Sequence, residues 1–462
     1  MEHSPLDGLD EIDWKSLEHA YGSAHNVPTI LRGLLAEEEQ VHSLGALYGA
    51  LYHQGSLYSS TPYAVPFLVR IATSPTTPGR DEVLVYLATL THRERWFAIP
   101  RPEPLGPREA AAPESLARAD EQGRLWDATC AAIAREAEAL VALLEDRSPR
   151  VRAAAAFVLG CLPEARTSLQ PSLRVAIARE RKDRVRATMI LALFRLSPSE
   201  ADREHALELM AAPRAIHGAQ SAWLAPAPAA QSLACAMGLA WSLGHRAPKV
   251  VMKRLLEGLQ AGPPEDDEEA ADTSDIHGQN LLAAIFGGPS APRPPQKPRL
   301  LARAWSGMPW HERRHRLCAA TEVVAALCAM TPRDDVRVLD AVMARVRADR
   351  AALAPLLDSS LFEDEPLFQA LLFLAFRDQH SIGVGATNEE RVSRSIADPG
   401  PRQRPPADVR ALTTKQREVL EILAIQPWPS SDIGDRLGAL GLPDTRDALK
   451  RLLELPTGAD GG

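Results

Sequence analysis

The sequence predicts an all-α chain in which pairs of amphipathic helices stack into a superhelical solenoid, with less regular helices on either side and a small helical cap at the C-terminus. Three observations predict it. The chain has 462 residues, too many for one hydrophobic core to grow around, and a repeat array builds a long chain because each unit buries its face on its neighbours. Apolar residues make up 45% and aromatics only 5%, so Ala and Leu, both good helix formers, carry most of the apolar load. Runs rich in Val, Ile and Thr at period two, the mark of strands, are nearly absent.

Residues 1–99 read as irregular helical repeats. All six tyrosines lie here, between Tyr21 and Tyr86, and four of them fall in YGALYHQGSLYSSTPY as Tyr48, Tyr52, Tyr58 and Tyr63. With His53 and Gln54 they form a candidate partner-binding patch, because Tyr offers a large rigid contact area with a polar tip. Tyr48 and Tyr52 are also spaced i, i+4 beside Leu44, Leu47 and Leu51, so some of these rings are expected in the core. His53-Gln54-Gly55 reads as a helix end with Gly55 as its cap. Thr61-Pro62 reads as the next helix start. Residues 100–120 are rich in proline and are expected to be a loop.

Residues 121–260 hold the clearest internal repeat. Arg150, Val151, Arg152 and Ala153 recur as Arg184, Val185, Arg186 and Ala187, and Leu159 recurs as Leu193, at an offset of 34 residues. That offset is the length of two short helices and two turns. In the first copy, Leu140, Leu143 and Leu144 and then Val151, Ala155, Val158 and Leu159 make two stripes at helical spacing. Such a pair needs stacked neighbours.

LVALLEDRSPRVRAAAAFVLGCL (140–162) resembles a HEAT repeat of the phycobilisome-lyase-like type. The resemblance covers about 137–196 and weakens on either side, with an echo in DDVRVLDAV (334–342). It implies a ladder in which an acidic residue ending the first helix pairs with an Arg early in the second: Asp146 with Arg152, and Glu180 with Arg186. Residues 14–90, through HAYGSAHNVPTILRGL and YHQGSLYSSTPYAVPFLVRI, are similar to actinobacterial-type HEAT-repeat proteins, a resemblance that implies a bacterial repeat protein and no particular activity.

Residues 261–299 run from the acidic Glu265–Glu269 to a proline-rich end and are expected to be a long loop. Residues 300–397 read as further helical repeats, 398–407 as a linker and 408–462 as the helical cap. His311-Glu312-Arg313-Arg314-His315 spells H-E-x-x-H, in which two His one turn apart could hold Zn²⁺ with Glu as general base. Against that reading, both intervening residues are Arg, and Pro309-Trp310 place His311 in the first turn. Cys318 and Thr321 stand where the longer metzincin pattern wants Gly and His. A solvated helix start is the expectation, with a zinc metalloenzyme at His311 and His315 as an alternative. In the C-terminal cap, Leu412–Leu423 resembles the first helix of LuxR-type helix-turn-helix domains. Yet residues 408–456 hold seven basic and eight acidic residues, which is no phosphate footprint.

Charge narrows the partners. The net charge is −8, which argues against a general nucleic-acid coat or an anionic membrane surface. Residues 145–195 run the other way, with eleven Lys and Arg against five Asp and Glu. The expected ladder accounts for Arg152 and Arg186 and leaves Arg174, Arg179, Arg181, Lys182 and Arg184 as candidate contacts. No signal peptide, membrane span or nucleotide-binding loop is visible. Five cysteines without a CxxC read as buried thiols in a reducing cytoplasm. The expectation is therefore a cytoplasmic, non-catalytic scaffold that binds a protein partner and needs no cofactor, including an immunity or antagonist protein. A nucleic-acid-associated regulator using the basic 145–195 face and the C-terminal helices is the alternative.

Overall fold

A computed structural model describes residues 4–53, 55–91, 113–211, 230–260, 323–330, 336–353, 365–376, 412–425, 428 and 432–455. The described residues divide into two compact units, the first within 4–91 and 116–242 and the second within 113–115 and 243–455. The described residues are mostly helical, as expected, and the strands among them are each two residues long.

In the first unit the helices are α1 (Val27–Gly33), α2 (Gln40–Ala50), α3 (Thr61–Thr73), α4 (Arg80–Thr89), α5 (Pro113–Arg135), α6 (Ala137–Ala142), α7 (Pro149–Gly160), α8 (Arg166–Arg179), α9 (Asp183–Arg195), α10 (Glu200–Ala211) and α11 (Ala230–Leu243). Helix α5 begins at Pro113, inside the segment expected to be loop. Proline suits that place because a first helical residue has no intrahelical use for its N–H. Helices α3, α6 and α8 adjoin one another in sequence order, as do α4, α7 and α9, and each of the first set lies against its successor in the second.

The reason is the apolar pattern. The predicted stripe residues Leu140, Leu143, Leu144, Val151, Ala155, Val158 and Leu159 are all buried. In α7 and α9 the burial spreads almost round the helix, over Ala153–Leu159 and Ala187–Phe194. Alanine on the flanks lets neighbouring helices come close on both sides. A closer fit occurs at Gly238 of α11, where the Phe194 ring fills the space a methyl group would need.

Polar bonds set the register between successive pairs. Arg152 Nε and Nη2 donate to the two Glu180 carboxylate oxygens at 2.6 and 3.1 Å. Its Nη1 donates to the Asp146 backbone carbonyl at 2.8 Å. Arg186 likewise donates to the Glu180 backbone carbonyl, and to Gln231 Oε1 at 3.0 Å. The Asp146 carboxylate accepts from Arg80 of α4 at 2.9 Å. The expected pairs Asp146–Arg152 and Glu180–Arg186 therefore need correction. Each Arg meets only the backbone of its own acidic residue, while its guanidinium reaches a side chain one helical pair further on. The physical reason is reach. Arg152 and Arg186 sit in the first turns of α7 and α9, where the next pair's turn lies alongside them.

In the second unit, α12 (Lys249–Gln260), α13 (323–330), α14 (Val336–Leu353), α15 (Glu365–Phe376), α16 (Thr414–Ile425), α17 (Asp432–Ala439) and α18 (Arg446–Leu452) follow in order. Val323, Val324 and Leu327 are core residues, as their spacing predicts. A reciprocal capping box starts α16: Thr413 N–H donates to Gln416 Oε1 at 2.9 Å and Gln416 N–H to Thr413 Oγ1 at 3.2 Å. Gln416 also donates to the Ala375 carbonyl at 3.1 Å, tying α16 to the end of α15. Among the described residues, no helix is long and apolar enough to cross a membrane.

Candidate functional site

Two short hairpins occupy the N-terminal part of the first unit. Strands β1 (Glu18–His19) and β2 (Gly22–Ser23) pair antiparallel, as do β3 (Tyr52–His53) and β4 (Ser56–Leu57). Each hairpin turns over two residues and leads into a helix with proline in its first turn, Pro28 in α1 and Pro62 in α3. Gly55 has φ +84°. The expectation that it caps a helix is corrected: α2 ends at Ala50 and Gly55 closes the turn of the second hairpin. Both roles require left-handed backbone, so glycine alone cannot distinguish them. Thr61 does start α3, as its proline signalled.

The hairpins are fixed to each other and to the core. Ala20 N–H donates to the Ala50 carbonyl at 3.0 Å. Glu18 N–H donates to Ser59 Oγ at 2.8 Å, and Ser60 Oγ donates to the Glu18 carbonyl at 2.7 Å. From α5, Gln122 bonds both the N–H and the carbonyl of Leu57, at 2.9 and 3.0 Å.

This frame sorts the predicted patch into two sets. Tyr48 and Tyr52 belong to the inner one. Tyr48 meets Tyr86 edge-on at 4.7 Å between ring centroids, and the buried Tyr86 hydroxyl donates to the Leu47 carbonyl at 2.9 Å. Burial, then the neighbouring Tyr48 and Tyr52 hydroxyls, hold the Tyr86 phenol well above its ordinary range. The outer set holds His53, Tyr58 and Tyr21. The Tyr21 ring lies 5.5 Å from His53 and 6.1 Å from His19, centroid to centroid. Burial first, and the Tyr21 hydroxyl second, raise the Tyr58 phenol above its usual value. Tyr21 is 55% exposed and Tyr63, in the first turn of α3, is 50% exposed. Gln54 lies outside the described residues.

Sequence reasoning missed Tyr21 and His19, which complete the outer set. Strands of two residues are too short to show alternation. A signal was nevertheless present: His19 is followed by Gly22-Ser23 much as His53 is followed by Gly55-Ser56.

The basic candidates divide differently. Arg174 makes a two-pronged ion pair with Asp202, both contacts at 2.8 Å, and that guanidinium holds the Asp202 carboxyl down to about 2. Arg179 pairs with Glu145 at 2.7 Å. Arg184 is half-buried, and Arg181 and Lys182 are exposed. Two of the five basic candidates, Arg174 and Arg179, are thus already paired with carboxylates of the same unit.

Two further features bear on chemistry. Asp81 of α4 is buried, one of its carboxylate oxygens has no hydrogen-bond partner among the described residues, and burial raises its carboxyl to about 6. Cys130, Cys161, Cys235 and Cys328 are buried and form no disulfide among the described residues. Among the described residues, no three His, Cys, Asp or Glu side chains gather as a metal site. His311, His315 and Cys318 lie outside the described residues, as do the segments 261–299 and 398–407.

Comparison with family models, with curated proteins and with solved structures finds no match for this chain.

Proposed function

We propose that this chain is a non-catalytic binding protein, a superhelical α-α solenoid of HEAT-like repeats, and that it engages a protein partner through the paired hairpins. The carrying observation is the outer aromatic set. Tyr21 is more than half exposed while its backbone and ring are fixed by neighbours in both hairpins. Rigid, exposed tyrosines make effective contact residues, since little conformational entropy is lost when they are covered. The 34-residue recurrence and the adjoining helical pairs support the repeat reading. A cytoplasmic setting suits four buried cysteines that form no disulfide among the described residues. Charge supports a protein rather than a nucleic acid as partner, because Arg174 and Arg179 are already paired with acids.

The test is capture from native lysate with full-length wild-type chain and with Tyr21→Ala and Tyr63→Ala variants. The expected result is one stoichiometric protein retained by wild type and reduced about tenfold or more by Tyr21→Ala, in line with an interface hot spot. A partner held equally by all three chains would remove the hairpins as the docking surface. Recovery of nucleic acid, lost with rising salt, would overturn the protein-partner reading.

A further inference from the structure

We propose that His19 is a proton-operated latch on the first hairpin: the neutral imidazole locks the β1–β2 turn, and protonation releases Tyr21 from its fixed place in the outer aromatic set. The inference rests on the hairpin reading above for its functional consequence only.

Both ring nitrogens of His19 are committed, and their roles are fixed by chemistry. Tyr21 N–H lies 3.0 Å from His19 Nδ1. A backbone amide can only donate, so Nδ1 carries no hydrogen. In a neutral ring the hydrogen must then sit on Nε2. Nε2 lies 2.8 Å from Asn26 Oδ1, an oxygen that can only accept. The two contacts agree on one tautomer.

Asn26 makes the arrangement more telling. It stands at the N-cap of α1, where Asn ordinarily accepts from the first free helix N–H groups. Here its side chain makes no such bond. Pro28 in the first turn has no N–H to offer, and the Asn26 oxygen is turned to His19 instead. A capping group has been diverted to fix an imidazole.

Adding a proton to His19 places a hydrogen on Nδ1 facing the Tyr21 N–H. An acceptor becomes a donor, and two donors now oppose each other across the turn. His19 is buried, so water cannot easily replace the lost bond, and the ring or the turn must move. Tyr21 is the residue that moves with it, because its own amide is the partner. The Tyr21 ring touches His19 and His53 at once, so the outer set loses its central member.

The surrounding groups leave the switch to His19. The two hairpins and their turns contain one carboxylate, Glu18, and no Lys or Arg. Glu18 alternates to the opposite side of β1 and is exposed. The other titratable groups nearby are Tyr21, Tyr58, His25, His53 and Lys15, whose backbone carbonyl accepts from Ser23 Oγ at 3.1 Å. From β2 come only Gly22 and Ser23. The start of α1 is uncharged up to Arg32, which is paired with Asp10 at 2.6 Å. The end of α2 beside Ala20 is uncharged.

The experiment uses the full chain labelled with ¹⁵N in His and Tyr. At about pH 8 the imidazole spectrum should show His19 in the Nε2–H form. As the pH is lowered until the His19 ring signal reports protonation, the protection factor of the Tyr21 amide should fall about tenfold, in step with that signal. In His53→Gln the transition should persist. In His19→Gln, whose amide oxygen can accept from Tyr21 at any pH, it should vanish. The proposal is overturned if Tyr21 protection stays constant while His19 protonates, if His19 stays neutral until the unit unfolds, or if His19→Gln keeps the transition. None of these readouts needs a partner, so failure of the docking surface and failure of the latch are separate results.

Discussion

From α7 to α9 the polar contacts are made by guanidinium groups and repeat from one helical pair to the next. Around the hairpins they are neutral, made by backbone groups, serine hydroxyls, Gln122, one asparagine and one imidazole. The central contacts hold rigid helices in register, so a long-reaching guanidinium suits them, and burial strengthens the attraction. The hairpins present rings to solvent, and neutral bonds fix those rings without surrounding them with fixed charge. The difference teaches where to look for stability and where for recognition. Damage to the centre should unfold the first unit, and damage to the hairpins should alter contact chemistry at small cost in stability.

The strongest way to break the comparison is Arg152→Ala. Glu180 is buried. Burial alone would raise its carboxyl, but Arg152 and the backbone amides of Lys182 and Arg181 outweigh that and hold it below the ordinary range. Losing the guanidinium leaves a buried carboxylate held only by backbone N–H groups, which costs about 3 kcal/mol, the lower end for a broken buried pair. The urea midpoint measures this, and a loss below about 1 kcal/mol would place the pair with ordinary surface bridges. Asp81→Asn should act in the opposite direction. The Asp81 carboxyl, raised from 3.8 to about 6 in the fold, contributes stability that is complete below about pH 4 and is lost as the pH rises through 6. Replacing it should stabilise the chain at neutral pH by up to about 3 kcal/mol and leave pH 4 unchanged. Equal effects at both pH values would show that packing, not ionisation, is responsible.

How much of this the sequence revealed differs between the two regions. The centre was legible because Arg150–Ala153 and Arg184–Ala187 repeat the same chemistry at a fixed offset. The local reading still paired each Arg with the acid six positions before it. The observed partner of Arg152 is Glu180, 28 residues away, and only the stacking of helices brings them together. The hairpins were half legible. His53, Tyr58 and Tyr63 were found as a dense local string. Tyr21, 32 positions before His53, was not, because a contact between two separate turns leaves no periodicity.

Gly55→Ala tests the hairpin side. With φ at +84° and, its chain neighbours aside, no described atom within 4 Å of where a methyl group would stand, the cost is conformational, about 1 kcal/mol. Asn, which tolerates left-handed backbone, should recover part of it. A loss of several kcal/mol in thermal or urea melts would mean that the hairpin, too, is a keystone of the unit, and the contrast with the centre would disappear.

The smallest effect is expected from Arg179→Ala, and it sharpens the comparison most finely. Arg179 and Glu145 also join successive helical pairs, at 2.7 Å, but both side chains are 69% exposed. Geometry alone would rank this bridge beside Arg152–Glu180. Solvent screening and the entropy of two long side chains reduce it to a few tenths of a kcal/mol, falling further in salt. Urea melts of Arg179→Ala at low and high salt should therefore nearly coincide with wild type. A loss approaching that of Arg152→Ala would mean that pairing between successive helical pairs, and not burial, is what makes the central ladder strong.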